Sequence, residues 1–129
     1  MKKAVWCIAP VLGLGAMVVP VLVWPPANPY SAPLCPLLRN AQEYLGPGQL
    51  ILFFVVGVVL GRVNNRHPWL LGFTAVIVLP IVALVEVSVD PTSHTLLPLE
   101  VAFYAGYGAL VAVGIIAARP RAEPRHPGA

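Results

Sequence analysis

One stretch of the sequence gathers the residue types that could do chemistry: Glu86, Asp90, His94 and Glu100. Glu86 and Asp90 are four positions apart, so they share a helix face as far as Pro91 permits, and His94 follows after the turn. Carboxylates and an imidazole that face one another inside a helix bundle can relay protons, hold a cation or act as general acid and base. These four residues form the candidate functional cluster.

A structural explanation is also available for most of this cluster, and we favour it. Asp90 before Pro91 is typical of a turn opening, Glu100 complements the positive end of a helix dipole, and His94 is a polar loop residue. Glu86 is harder to explain, because an ionised carboxylate at the centre of a membrane helix costs roughly 2.5–3.5 kcal/mol. The sequence has no H-E-x-x-H motif and no histidines paired at helical spacing, so we predict no catalytic residue, metal ligand or cofactor.

The composition defines what surrounds the elements that carry these residues. Of 129 residues, 58% are hydrophobic and only 10% are charged, against about 25% charged in average soluble proteins. An ordinary soluble domain is therefore excluded, and we expect the chain to be surrounded by lipid. The net charge of +3 is explained by basic residues that orient the chain in the membrane, so we predict no nucleic-acid partner.

Four uncharged runs are long enough to cross a hydrocarbon core, which takes about 20 apolar residues. Proline, which is favoured in the first turn of a helix, stands at or near the start of three of them, as Pro47, Pro68 and Pro98. We predict an all-α membrane protein with a single integral membrane domain, a bundle of four transmembrane helices. The predicted spans are 4–24, 44–61, 68–89 and 98–118, the third accepting Glu86 within its end.

The positions of the charges predict the orientation, because Lys and Arg in short loops stay on the cytoplasmic side. Only Arg39 falls on the opposite side from the other seven bases, which are Lys2, Lys3, Arg62, Arg66, Arg119, Arg121 and Arg125. Both termini are therefore expected in the cytoplasm, with a disordered basic tail over 119–129. Frequent Arg, Ala, Val and Pro suit a GC-rich bacterium, so we expect a bacterial cytoplasmic (inner) membrane.

Lys2 and Lys3 followed by an apolar run could also begin a cleaved signal peptide. The run over 4–24 is longer than the ~7–15 apolar residues of such peptides, and we favour a retained span.

The first outer loop, 25–46, is proline-rich at its start and then changes pattern. Apolar residues recur at helical spacing from Leu34 to Leu45, with Arg39, Asn40, Gln42 and Glu43 on the other side. This predicts a short interfacial helix lying on the membrane surface. A lid or docking surface over the bundle is the alternative.

Small residues spaced four apart predict where helices pack closely, since lipid provides no hydrophobic force between them. Gly57 and Gly61 form a G-x-x-x-G motif, and Ala102 and Gly106 form a similar pair. These faces fit contacts within the chain, a homo-oligomer or a larger membrane-protein partner. Phe103, Tyr104 and Tyr107 are interpreted as an aromatic belt at the membrane interface.

We therefore expect a non-enzymatic accessory, assembly or structural protein of the membrane. One alternative is a small transporter or proton- or cation-linked device centred on Glu86. Another is an outward-facing membrane enzyme that uses His94 with Asp90 or Glu100.

Overall fold

A computed structural model of the chain describes residues 2–29, 34–64, 66–91 and 97–119. These residues form six helices and no strand: α1 (Lys2–Val23), α2 (Pro36–Glu43), α3 (Pro47–Val63), α4 (Pro68–Val76), α5 (Val78–Val89) and α6 (Leu97–Ala117). The predicted all-α class is confirmed. His94 and the tail beyond Arg119 lie outside the described residues.

Three stretches of helix are long and apolar enough to cross a membrane: Ala4–Val23, Pro68–Val89 and Pro98–Ala117. The predicted second span differs, because α3 has 17 residues and at 1.5 Å per residue measures ~25 Å, short of a ~30 Å hydrocarbon core. α3 follows α2 at an angle of 104°. The described residues therefore contain three such spans, or four if the bent pair α2–α3 is counted as one.

Prolines determine where several helices begin. Pro47 and Pro68 are the first residues of α3 and α4, and Pro98 is the second residue of α6. A proline costs nothing at these positions, because the first N–H groups of a helix have no partner within it. Three predicted helix starts therefore agree closely with the structure.

Pro80 instead divides the predicted third span into α4 and α5. A proline has no N–H to donate to the carbonyl four residues earlier, and its ring clashes with that carbonyl. The residue four positions before Pro80 is Val76, and α4 ends there. The helix tightens at the break, with the Ile77 N–H donating to the Thr74 carbonyl oxygen at 3.3 Å. α4 and α5 together still form one 22-residue stretch long enough to span.

α3 and α6 pack through glycines and run in the same direction. A Cβ added to Gly61 would lie 2.8 Å from the Ile115 Cα, and one added to Gly57 would overlap the Val111 carbonyl oxygen. Moving four residues along α3, from Gly57 to Gly61, moves the contact four residues in the same direction along α6, from Val111 to Ile115. Side chains larger than hydrogen would separate the two backbones.

α4 is held on both sides by similar close contacts. A Cβ on Gly72 would overlap the Gly108 carbonyl of α6 and lie 2.9 Å from the Ala112 nitrogen. On the other side, a Cβ on Gly13 of α1 would overlap the Ala75 carbonyl. α4 therefore lies tightly between α1 and α6.

Four helix termini and α2 lie at one end of the bundle, which we call the α2 end. α1 and α5 finish here, and α3 and α6 begin here. Gly48 at the start of α3 is close to Pro20 near the end of α1: a Cβ added to Gly48 would lie 3.9 Å from the Pro20 Cβ. Glu43, Glu86, Asp90 and Glu100 all belong to this end.

The interior and the surface are both apolar. The largest fully buried side chains are Phe53, Met17, Leu71, Leu79, Ile115 and Val111. The rings of Phe53 and Tyr107 stack at 5.0 Å between centroids. Many large apolar side chains are exposed, including Trp69, Leu70, Ile81 and Leu84. Such a surface is typical of a protein that contacts lipid.

Candidate functional site

Arg39 is the centre of the polar contacts at the α2 end. Its Nη2 lies 2.7 Å from the Glu43 carboxylate one turn along α2, and its Nη1 lies 3.4 Å from Oε1 of Glu100. The Arg39 side chain is only 11% exposed, while those of Glu43 and Glu100 are 46% and 21% exposed. The guanidinium therefore joins α2 to the first turn of α6 in a partly buried setting, where ion pairs are screened less than at an open surface.

One further hydrogen bond joins the same two helices, and a second one within α6 connects it to Glu100. Gln42 Nε2 donates to the Tyr104 hydroxyl at 2.8 Å, and that hydroxyl donates to Oε2 of Glu100 at 3.4 Å. Arg39 and Gln42 thus contact α6 at two positions one turn apart. We call Arg39, Gln42, Glu43, Glu100 and Tyr104 the α2–α6 polar network.

This network changes two expectations from the sequence. Tyr104 and Tyr107 are buried, at 4% and 6% exposure, while only Phe103 of the three proposed belt aromatics is exposed. The aromatic belt is therefore wrong for both tyrosines, whose rings pack inside the fold. The polar side of α2, predicted to lie opposite the apolar side of an interfacial helix, instead contacts α6 through Arg39 and Gln42, and Asn40 on that side is buried.

Glu86 is buried on α5, with 3% of its surface exposed. It shares a face with Leu79 and Ala83, both 1% exposed, because positions 79, 83 and 86 recur at helical spacing. The Asp90 N–H donates to the Glu86 carbonyl oxygen at 2.8 Å and ends the helix there. Burial of this carboxylate is unusual, since carboxylates are almost never fully buried unless they are paired.

The four candidate residues have different surroundings. Glu100 belongs to the α2–α6 polar network, Glu86 is buried on α5, and Asp90 is half-buried at the end of that helix. His94 lies outside the described residues. Within the described ranges, no group of three or more His, Cys, Asp or Glu side chains is placed to hold a metal ion.

No family model, no curated protein and no solved structure matches the chain. Its function is therefore inferred from its own geometry. Two further features of that geometry matter: a face of small residues and a cavity.

The two predicted small-residue faces differ in what they contact. Gly57 and Gly61 lie against the α6 backbone, as described above. Ala102 and Gly106 are exposed, and a Cβ added to Gly106 would meet nothing within 4 Å. The exposed or half-exposed surface around them, which we call the Gly106 face, comprises Leu99, Ala102, Gly106, Ala109 and Val113. It runs along one side of α6.

An open cavity of about 570 Å³ lies between α1, α2 and α5. Val11 and Val18 of α1, Leu37 of α2, and Val78 and Val82 of α5 are among its lining residues. Its volume falls in the range of small-molecule sites, roughly 300–1,000 Å³. We call it the α1–α2–α5 cavity.

The α2–α6 polar network was not predicted from the sequence. Arg39 with Glu43, and Glu100 with Tyr104, are each four residues apart, so the spacing indicates two local pairs on helices. Nothing in the spacing indicates that the two pairs meet, because they are about 60 residues apart in the chain. The signal that could have suggested it is the position of Arg39 as the only base expected on its side of the membrane.

Proposed function

We propose that the chain is a four-span protein of a bacterial cytoplasmic membrane, with both termini in the cytoplasm, that acts without catalysis. In this proposal it associates with a second copy or with a larger membrane protein through the Gly106 face. α2 lies at the outer membrane surface. Its partners are the surrounding lipid and the protein that it contacts through this face.

The observation that carries the proposal is the difference between Gly106 and the other glycines of α6. Gly108 and Gly114 each lie against a neighbouring helix of the same chain, whereas Gly106 has free space beside it. Small residues at helix surfaces let two helices approach closely in lipid, where dispersion contacts replace the hydrophobic effect. A small-residue face that the fold itself does not fill favours contact with another helix.

The experiment is to replace Gly106 by leucine and measure association of the full chain in lipid bilayers. Förster transfer between differently labelled copies, or crosslinking in native membranes with mass spectrometry of the products, reports the contact. We expect Gly106→Leu to lower association by about 5- to 30-fold, or ~1–2 kcal/mol, within the usual cost of forcing a larger side chain into a close contact.

Gly15→Leu is the control, because a Cβ at Gly15 also meets nothing within 4 Å of the chain and Gly15 lines the α1–α2–α5 cavity, apart from the Gly106 face. It places the same side chain on a different helix, α1, and should leave association unchanged. Equal association of wild type and both variants, or only monomer in every sample, contradicts the proposal.

A second candidate function is a proton- or cation-linked device, which the burial of Glu86 favours. A carboxylate with 3% exposure in an apolar helix is the kind of residue that membrane proteins use for proton transfer. The third reading, an enzyme using His94 with Asp90 or Glu100, has no observation in its favour among the described residues.

Proton flux into proteoliposomes under an imposed potential tests the second candidate. We expect Glu86→Gln to abolish the flux, because a side-chain amide neither takes up nor releases a net proton at neutral pH. Glu43→Gln is the control, since the Glu43 side chain is 46% exposed and far less buried. Absence of flux in the wild type, or flux that survives Glu86→Gln, rejects the assignment.

A further inference from the structure

We propose that α5 is a hinged segment that swings about Ile77 as a rigid helix, and that this swing widens and narrows the α1–α2–α5 cavity. Three independent features of the structure support the inference. They are the break before α5, the unequal packing of α4 and α5, and the free space beside α5.

The break is a point where the backbone is held by fewer hydrogen bonds. Pro80 cannot donate to the Val76 carbonyl. Thr74 also donates its hydroxyl to the Leu70 carbonyl at 2.8 Å, a bond that tends to bend helices. Proline and inserted side-chain hydrogen bonds are the usual causes of helix kinks. Both occur here within one turn of Ile77.

The two halves of this span are packed differently. α4 is locked by backbone contacts through Gly72 on one side and Ala75 on the other, and it packs extensively on α6 and α1. α5 has few contacts with α1 or α6, and its buried face is limited to Leu79, Ala83 and Glu86. α4 is therefore the fixed part of the span, and α5 is the part that pivots.

The space for such a movement is the cavity itself. Val78 and Val82 lie one turn apart on α5, are half-buried and line the cavity opposite α1. α2, which lines its third side, is joined to α6 by Arg39 and Gln42. α5 thus borders a space whose other walls are held in place, and its movement carries Glu86 along.

The size of the movement follows from the length of the helix. α5 has 12 residues and extends ~18 Å from Ile77. A change of ~20° in the kink, the angle above which a helix is sharply kinked, displaces its far end by ~6 Å and the cavity-lining Val82 by ~2.6 Å.

Double electron–electron resonance on the full chain in lipid nanodiscs measures this directly. Spin labels at Val23 and Val89, both exposed, report the distance between the ends of α1 and α5, with Cys7 and Cys35 replaced by serine. Labels at Ile8 and Leu70, also exposed, are the matched pair on α1 and the fixed α4. We expect a distance distribution for the first pair that is broader by ~6 Å or has two maxima, and a narrow one for the second.

Pro80→Ala provides the second measurement. Restoring the N–H at position 80 lets α4 and α5 form one continuous helix, so the distribution for Val23 and Val89 should narrow to the width of the control pair. Equal widths for the two pairs in the unsubstituted hinge overturn the proposal whether or not Pro80→Ala folds. A broad distribution that Pro80→Ala leaves unchanged places the movement elsewhere and also overturns it. The measurement is independent of association through the Gly106 face, and Gly106→Leu should not alter it.

Discussion

At the scale of single residues, hydrogen at the α-carbon of Gly57 determines how closely α3 and α6 approach. Gly57→Ala adds a Cβ that would lie 2.9 Å from the Gly114 Cα. Neither atom can move away by a side-chain rotation, because the Cβ is bonded directly to its backbone and the Cα is part of one. We expect a loss of about 1–3 kcal/mol of unfolding free energy, the usual cost of overpacking. Reversible unfolding in mixed micelles measures it.

Gly106→Ala is the control for this prediction, because it makes the same change on α6 where the chain leaves space. It should raise the unfolding free energy by up to about 1 kcal/mol, because alanine is the better helix former where there is space for its Cβ. Equal stability of the two variants would mean that α3 and α6 are farther apart than the contacts of Gly57 indicate.

At the scale of helices, the contact between α2 and α6 depends on Arg39. We expect Arg39→Ala to destabilise the protein by about 1.5–3 kcal/mol, the range for hydrogen bonds to charged groups, because it removes the partly buried guanidinium from Glu100. A double-mutant cycle with Glu100→Gln should give a coupling energy of about 0.5–3 kcal/mol. Thermal unfolding and proteolysis within α2 are the measurements.

Glu43→Gln is the comparison within the same helix. It removes the other carboxylate beside Arg39, but this one is exposed and lies at i,i+4, so we expect a loss of only about 0.3–0.5 kcal/mol. A coupling energy of zero between Arg39 and Glu100 would show that α2 is held without this ion pair, by the Gln42–Tyr104 hydrogen bond and by the buried Leu38 and Ala41.

The helices also show how much could be predicted from the sequence. Pro47, Pro68 and Pro98 locate three helix starts correctly, because the local rule for proline does not depend on the rest of the fold. Pro10 and Pro20 lie inside an unbroken α1, whereas Pro80 interrupts the third span. Sequence alone treats the three alike, since the outcome depends on the neighbours that support each helix.

The same limit applies to the candidate site. The sequence shows that Glu86 is a carboxylate in an apolar stretch, but not whether it faces the bundle or the membrane interface; the structure buries it. The sequence does not show that Arg39 reaches Glu100, because a pairing between distant segments depends on how the helices are arranged. Nor does it distinguish Gly106, which faces outward, from Gly108 and Gly114, which face inward, because all three occur in similar small-residue patterns.

At the scale of the whole molecule, the proposed orientation makes a prediction about accessibility. With Cys7 and Cys35 replaced by serine, Ala27→Cys should react with a membrane-impermeant maleimide added to intact cells, because residue 27 is exposed at the α2 end. His67→Cys, exposed in the turn before α4, is the matched site at the other end and should react only after the cells are opened. Reversed labelling would place the termini outside.

The parallel arrangement of α3 and α6 also has a consequence for biosynthesis. The two helices pack through their backbones, yet residues 64–96 separate them in the order of synthesis. When α3 leaves the ribosome, the helix that fills its glycine groove has not yet been made. The glycine groove of α3 therefore stays covered by lipid or by the insertion machinery until α6 is translated, so this helix pair assembles only after α4 and α5 have been made.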